Sequence, residues 1–311
     1  MTVWLNGKIM ERDEAKVSVF DAAFQHGVGL FETMHARREA VFRLHDHLQR
    51  LADSARQLRL SDRLRIGPLS EAVLQAVRTH TESMSDKSDP LRVRLTITGG
   101  DLNLLMKERR ASSDPTIMIQ VQPATRYPRE LVENGAAVVV ADVRDNPFNP
   151  CAGHKTVNYW PRLLSLQNAA AKRADEALHL TITNHLSAGA VSNAFIVKDG
   201  TLLTPIARGE EEKGSLPSPA LPGITRKVIK EIAAGLGIGC GQKMITISEV
   251  LDADEMFLTN SSWGVLPVVR VEAKAIGDGF VGPVTRNLRE HYWQLVDEET
   301  SNRTADDAED Q

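Results

Sequence analysis

Between Phe195 and Pro205 the chain reads FIVKDGTLLTP, two apolar runs parted by Asp199 and Gly200. An Asp-Gly pair tolerates the positive φ that a two-residue hairpin turn needs at both central positions, so the flanking runs are expected to pair as antiparallel strands. Any fold for this chain must be built around that hairpin. Elsewhere the period changes: Leu48, Leu51, Ala55 and Leu58 recur at intervals of three and four within Asp46 to Leu58, the spacing of one buried helical face, and Leu69 to Val77 predicts a second helix. LRVRLTI, Leu91 to Ile97, alternates apolar and polar residues, and Thr116 to Val121 is a continuous apolar run; both predict strands, as do Thr2 to Leu5 and Val17 to Phe20. Interleaved helical and strand periods predict an α/β chain.

The Pro-containing stretch QPATRYPREL reads as a linker, placing a boundary within residues 123–135. Beyond it, Ala136 to Ala141 predicts a buried strand, Pro161 to Ala174 a helix, Ala177 to Thr183 a strand and Thr225 to Leu236 a helix closed by Gly237. The loop from Arg208 to Pro219 carries Glu210 to Glu212, an acid run expected to be solvated surface. The expected organisation is a small N-terminal α/β domain over residues 1–122, a linker over 123–135, a larger β-rich α/β domain over 136–297, and a disordered acidic tail over 298–311.

A length of 311 residues allows two cores. Lys plus Arg number 37 against 41 acids, and no basic stripe is present to neutralise a run of phosphates, which argues against nucleic acid. The first residues lack the apolar stretch of a secretory signal, and no window approaches the roughly 18 apolar residues of a membrane span. Cys151 and Cys240 are too few for a disulfide framework or a four-ligand zinc site. A cytoplasmic setting with no membrane partner is expected.

Several strings could carry chemistry. LPGITRKVI, Leu221 to Ile229, sets a Pro-Gly turn before a helix that Thr225 could cap, and unpaired N–H groups at a helix start attract anions; an ordinary capped helix reads the same way. TNSSWG, Thr259 to Gly264, offers hydroxyls and backbone donors at a strand end. Lys155 in HKTVNYW is either a solvated lysine or an amine freed by burial to attack a carbonyl, and spacing does not decide. Arg50 could pair with Asp46 on the surface or grip a phosphate with its planar fork. Arg92 and Arg94 share one strand face and could hold a carboxylate. His26, His35, His45 and His47 match no metal spacing, lack an evident acidic partner, and read as structural or solvent-facing.

Taken in order, WLNGK, FQHGVGLFET, FRLHDHLQRLADSA, HKTVNYW, GAVSNAFIVKDGTLLTP, LPGITR, DADEMFLTNSSWGVLPV and IGDGFVGPVT resemble the class IV aminotransferases over almost the whole chain. The resemblance implies the two-domain fold of fold-type IV pyridoxal-phosphate enzymes, and a homodimer with its active sites near the subunit interface. It implies a Schiff base on Lys155, which then shuttles the proton, and a phosphate cup of Arg50, Ile224, Thr225 and Ser261. Tyr159 would bond the cofactor's phenolic oxygen, Ala188 and Ser192 would lie at its ring, and Phe31, Arg94 and Ser262 would border the substrate pocket. One departure stands out. Many relatives have a glutamate at the ring nitrogen where this chain has Ala188, and the nearby hydroxyls of Ser187 and Ser192 lack the basicity to replace it. The loop before LPGITR is also lengthened. The implied activity is transfer of an amino group from an amino donor to a 2-keto acid. The alternatives are an aminodeoxychorismate lyase that eliminates pyruvate, favoured by HKTVNY and Asn260-Ser261, and a non-catalytic binding protein that has lost the ring-nitrogen acid.

Overall fold

The computed structural model describes residues 1–101 and 115–301, which divide into two compact units. The first takes in Met1–Thr125, His154–Asn158 and the chain from Val296; the second takes in Arg126–Gly153 and Tyr159–Leu295. The stretch around Lys155 thus belongs to the first unit although its neighbours in sequence belong to the second.

The first unit contains β1 (Thr2–Leu5), β2 (Lys8–Glu11), α1 (Ala22–His26), β3 (Gly29–Arg37) and β4 (Ala40–Val41). It continues with α2 (Leu44–Gln57), α3 (Ile66–Glu82), β5 (Leu91–Thr98) and β6 (Ile117–Pro123). The strands form one sheet in the order β2-β1-β6-β5-β3-β4, antiparallel throughout. Period-two alternation sorts its faces. Leu30 and Met34 of β3 join Val93, Leu95 and Ile97 of β5 in a core with Leu44, Leu48, Leu51 and Ala55 of α2 and Val73, Ala76 and Val77 of α3. Phe31, Thr33 and His35 take the other face, opposite Thr96, Arg94 and Arg92. Val17 to Phe20 forms no strand: Val17, Val19 and Phe20 are exposed, and no strand among the described residues pairs with them.

The second unit runs through α4 (Arg129–Glu133), β7 (Ala136–Asp145), α5 (Trp160–Ala171), β8 (Glu176–Thr181), β9 (Leu186–Gly189), β10 (Asn193–Lys198) and β11 (Thr201–Pro205). Then come α6 (Ile224–Gly235), β12 (Cys240–Lys243), α7 (Ile247–Leu251), β13 (Glu255–Asn260), β14 (Gly264–Val271) and β15 (Lys274–Ala275). Its sheet has the order β12-β11-β10-β13-β14-β7-β8-β9, with β15 beside β14. The hairpin turn has φ of 48° at Asp199 and 70° at Gly200, and Lys198 pairs with Thr201 across it, the geometry expected of the Asp-Gly pair. One core gathers Leu178, Leu186, Ile196, Met256, Leu258 and Leu266.

Part of the stretch read as a linker is the short helix α4. Of the tail expected over 298–311, the first residues instead close α8 (Pro283–Ser301), with Thr300 buried and Glu299 paired with Arg43. Residues 302–311 lie outside the described residues. Among the described residues no helix is long and apolar enough to cross a membrane, and Cys151 and Cys240 are free thiols.

His35 illustrates a cost inside the first unit. Burial, helped by Arg37 and partly opposed by Asp297, lowers its pKa from 6.5 to about 4. The folded chain keeps His35 neutral while the unfolded chain protonates it, so the stability this confers is complete above pH 6.5 and is lost as pH falls towards 4. Full loss corresponds to about 3 kcal/mol. His35→Gln is therefore expected to show a shallower fall in urea midpoint between pH 7 and pH 4.5 than the wild type, and equal slopes would contradict the assignment.

Candidate active site

In the first unit, β3 fixes Lys155 through its backbone. The Phe31 N–H donates to the Lys155 carbonyl at 2.9 Å and the Val157 N–H to the Gly29 carbonyl at 3.0 Å, so the Lys155 segment adds a short rung to the sheet. Gly29 is required there, since a Cβ would sit 2.7 Å from the Ile97 carbonyl and 3.3 Å from Val157 Cγ2. On the preceding side, His154 Nδ1 lies 2.9 Å from Ser54 Oγ of α2. Lys155 Nζ then stands 4.4 Å from the Phe31 ring centroid, and the Arg94 guanidinium stands 3.8 Å from the same centroid. The π face is the attractive side of an aromatic ring for cations, so one ring gathers an amine and a fixed positive charge.

On the helix-facing side of β3, Glu32 occupies an otherwise apolar phase and receives Arg50 as a two-point fork, Nε to Oε1 at 2.8 Å and Nη2 to Oε2 at 2.6 Å. His47 Nδ1 lies 2.7 Å from Glu32 Oε2. Arg50 therefore pairs with Glu32, and His47 has the acidic partner that the sequence did not reveal. Burial alone would raise the Glu32 pKa, but Arg50 and His47 overcome it and lower the value to about 2. Burial likewise lowers the His47 pKa, against the pull of Glu32. The bidentate pair locks the long Arg50 side chain in one orientation.

In the second unit, three turns are tied together by two asparagines. Asn193 Nδ2 donates to the Leu221 carbonyl at 2.8 Å, and Asn260 Nδ2 donates to the Val191 carbonyl at 3.2 Å. Asn260 Oδ1 accepts from the N–H groups of Ser262 and Trp263, shaping the turn that carries Ser261 and Ser262. The N-cap of α6 is Gly223, not Thr225, and no side chain caps the helix start, which leaves the N–H groups at Ile224 and Thr225 suited to an anion. Gly223 is needed for this approach, because a Cβ would lie 1.9 Å from Asn193 Oδ1. Behind the helix start, the buried Arg226 forks onto Glu210, whose pKa falls to about 2: burial opposes the shift, and the hydrogen bond from Arg226 outweighs it with other partners. Glu210 is thus a structural clamp and not merely solvated surface.

Beside these turns lies the Gly189–Ser192 corner. Glu176, fully buried, accepts from the N–H groups of Ala177 at 2.9 Å and of Ala190 and Val191 at 3.2 Å, and from Ser192 Oγ at 3.0 Å. Burial pushes its pKa up, with those donors opposing. Tyr159 Oη donates to the Ala190 carbonyl at 3.4 Å, and Ala188 pairs directly with His179 across β8 and β9. Ser192 is thus a ligand of Glu176.

Residues 29–271 match the family described as amino-transferase class IV. The chain belongs to the class IV aminotransferase family. This class IV chain is 32% identical over 295 residues to a putative branched-chain-amino-acid aminotransferase of Methanocaldococcus jannaschii, covering 94% of this chain and 95% of that one. Its fold matches the T.th. branched-chain amino acid aminotransferase solved with pyridoxamine 5'-phosphate, at a TM-score of 0.83 and 28% identity, over 96% of this chain and 94% of that one. It also matches the 4-amino-4-deoxychorismate lyase of Pseudomonas aeruginosa at a TM-score of 0.79 and 26% identity, over 96% and 99% of the two chains. The two-sheet architecture is that of fold type IV, and the family uses pyridoxal phosphate.

Sequence reasoning singled out Lys155, Arg50, Phe31, Arg94, Tyr159, Ala188, Ser192, Ile224, Thr225, Ser261 and Ser262 but missed Glu32, which holds Arg50, Glu176, which holds Ser192, and Asn193 and Asn260, which tie the turns before Ile224 and at Ser262. Both glutamates stand in phase with apolar strand neighbours, Leu30 and Met34 for one, Leu178 and Leu180 for the other. That pattern is a readable sign of a buried acid. Removing Glu32 alone leaves Arg50 buried without its counter-charge, so Glu32→Ala is expected to destabilise the protein by about 3–5 kcal/mol in urea unfolding near pH 7. The contribution of Glu32 is present above its unfolded pKa of 4.5 and disappears as pH falls towards 2, so the variant and the wild type should converge in acid.

Proposed function

We propose that this chain is a pyridoxal-phosphate-dependent aminotransferase that moves an amino group between an amino acid and a 2-keto acid, with Lys155 as cofactor anchor and proton carrier. The observation that carries this reading is the Lys155 segment held by backbone pairing to Phe31, with the Lys155 amine and the Arg94 guanidinium both drawn to the Phe31 ring. Pyridoxal phosphate, when bound, supplies a carbonyl that condenses with amines and a ring that draws electrons from the carbon next to the nitrogen. Each unit carries features that suit such a group: in the second, an uncapped start of α6 at Ile224 and Thr225 and the turn at Ser261 offer donors to a phosphate, and in the first, Arg50, held through Nε and Nη2 by Glu32, keeps a positive charge in one orientation.

Within this reading Lys155 would hold the cofactor through its amine and would move the proton at the substrate carbon as a general base. Arg94 would hold the substrate carboxylate beside Phe31, Ser262 would lie at the substrate side chain, and Tyr159, whose one O–H now donates to the Ala190 carbonyl, would turn that donor to the phenolic oxygen. A homodimer belongs to the reading; the exposed apolar residues Val17, Val19, Phe20 and Phe24 support a partner surface. Similarity to the Pseudomonas aeruginosa lyase supports pyruvate elimination as the second reading.

Borohydride reduction of the loaded protein followed by peptide mapping is expected to find the cofactor on Lys155, and Lys155→Ala should leave no adduct. An adduct elsewhere would overturn the anchor. Amino acids offered without an acceptor should convert the bound cofactor to its amine form; release of pyruvate from an aminated chorismate without that conversion would establish the lyase. Arg94→Met should raise KM for the amino donor by about tenfold or more, as expected when a charged hydrogen bond to a carboxylate is lost. An unchanged KM would remove Arg94 from the substrate site.

A further inference from the structure

We propose that His179, oriented by Asp145, hydrogen-bonds the cofactor's ring nitrogen in place of the carboxylate that this chain lacks at Ala188. The inference rests on the reading that the chain binds pyridoxal phosphate with its ring at Ala188.

Three observations converge within the second unit. First, His179 and Ala188 are direct partners across β8 and β9, so their side chains share a face of the sheet, with Cβ atoms about 5 Å apart. The register shifts next to this pair, Leu180 pairing with Leu186, which leaves Ser187 as an extra residue in β9. Second, His179 is held from one side only. Its Nδ1 lies 3.2 Å from Asp145 Oδ1, while its Nε2, fully enclosed, has no hydrogen-bond partner among the described residues. A buried nitrogen left unsatisfied costs about 1–3 kcal/mol, and few native structures keep one without a ligand or water to complete it. Third, Asp145 is itself fixed by Ser187 Oγ at 2.7 Å and Arg162 Nη2 at 3.2 Å, and Arg162 also donates to the Gly189 carbonyl at 2.9 Å. Burial would raise the Asp145 pKa, but the bond to His179 and the charge of Arg162 keep it below its ordinary value. An ionised Asp145 selects the tautomer with the proton on Nδ1, which makes Nε2 an acceptor.

The competing carboxylate is excluded by the pleat. Glu176 lies two residues before Leu178, which pairs with Gly189, so Glu176 projects to the face opposite Ala188 and His179. A Cβ on Gly189 would lie 3.0 Å from Glu176 Oε2, and both oxygens already accept hydrogen bonds from the corner. His179 and Asp145 together thus present on the Ala188 face the acceptor that Glu176 cannot supply. His179 makes the contact and Asp145 is the positioning residue.

The test uses the full-length protein loaded with pyridoxal phosphate labelled with 15N in the ring, observed by 15N NMR at neutral pH. The wild type is expected to show the shift of a protonated, hydrogen-bonded ring nitrogen; a free-pyridine value overturns the proposal without any variant. His179→Gln is expected to move the resonance towards the free-pyridine value and to weaken cofactor binding about tenfold or more. Asp145→Asn, nearly isosteric, should move it in the same direction by less. Introducing Ala188→Glu into the His179→Gln background should restore the wild-type shift. A resonance that stays in place in folded His179→Gln or Asp145→Asn protein assigns His179 a purely structural role. Failure of the wild type to bind the cofactor would instead sink the proposed function, so the two failures are distinguishable.

Discussion

The register of β3 is the constraint on which the first unit depends. Its backbone pairs with the Lys155 segment through Gly29 and Phe31, and that rung decides which way every later side chain points. Phe31 turns to the face shared with Arg94, where Lys155 Nζ meets its ring. Glu32, one residue on, must turn to the helix side, where α2 supplies His47 and Arg50 one helical turn apart. A slip of one residue would exchange these roles, placing an acid beside the amine and an aromatic ring among the helix cations. Leu30, Met34 and the alternate residues of β5 oppose that slip because they fill the core against α2 and α3. The geometry around Lys155 is therefore a product of ordinary hydrophobic packing, transmitted through one ladder of main-chain hydrogen bonds.

Two buried glutamates show how neighbours decide the state of one residue type. Glu32 faces a guanidinium and an imidazole, and its pKa falls to about 2. Glu176 is also enclosed but faces neutral N–H groups and one hydroxyl, and its pKa rises. Partial charges on amides orient a carboxyl without offsetting the loss of water as a full cation does. Glu32 consequently acts as a charge that holds Arg50, whereas Glu176 acts as a polar brace that holds the Ala190–Ser192 corner. Neither needs to touch a ligand to fix the groups around it in place.

Much of the fold was legible because it rests on local periods. The α2 stripe of Leu48, Leu51 and Ala55, the β5 alternation and the Asp199-Gly200 turn all appear in the structure where the pattern put them. Val17 to Phe20 misled because an apolar run was read without a partner strand, and strand formation needs a neighbour as well as propensity. Thr225 misled because capping depends on the residue just before the helix, here Gly223, whose missing Cβ lets Asn193 approach. The long-range clamps were the least visible. Glu32 with Arg50 and Glu210 with Arg226 join residues 18 and 16 positions apart, and no local period records such a pair.

On the proposed reading, the face around Ala188 offsets its missing carboxylate from a neighbouring strand. Asp145 keeps a carboxylate in the region, but behind an imidazole and not at the tip of residue 188. In a medium of fixed dielectric, moving the negative charge from ~3 Å to ~6 Å from a cation halves the attraction. The imidazole would recover part of that loss by accepting a direct hydrogen bond, while Arg162, by sharing Asp145, would weaken the attraction further. A His–Asp pair thus favours a protonated partner less strongly than a bare carboxylate would. The chain pairs this weaker electrostatic anchor with a stiff frame: Ser187, Arg162 and the β8–β9 ladder all restrain the pair, so geometry substitutes for charge.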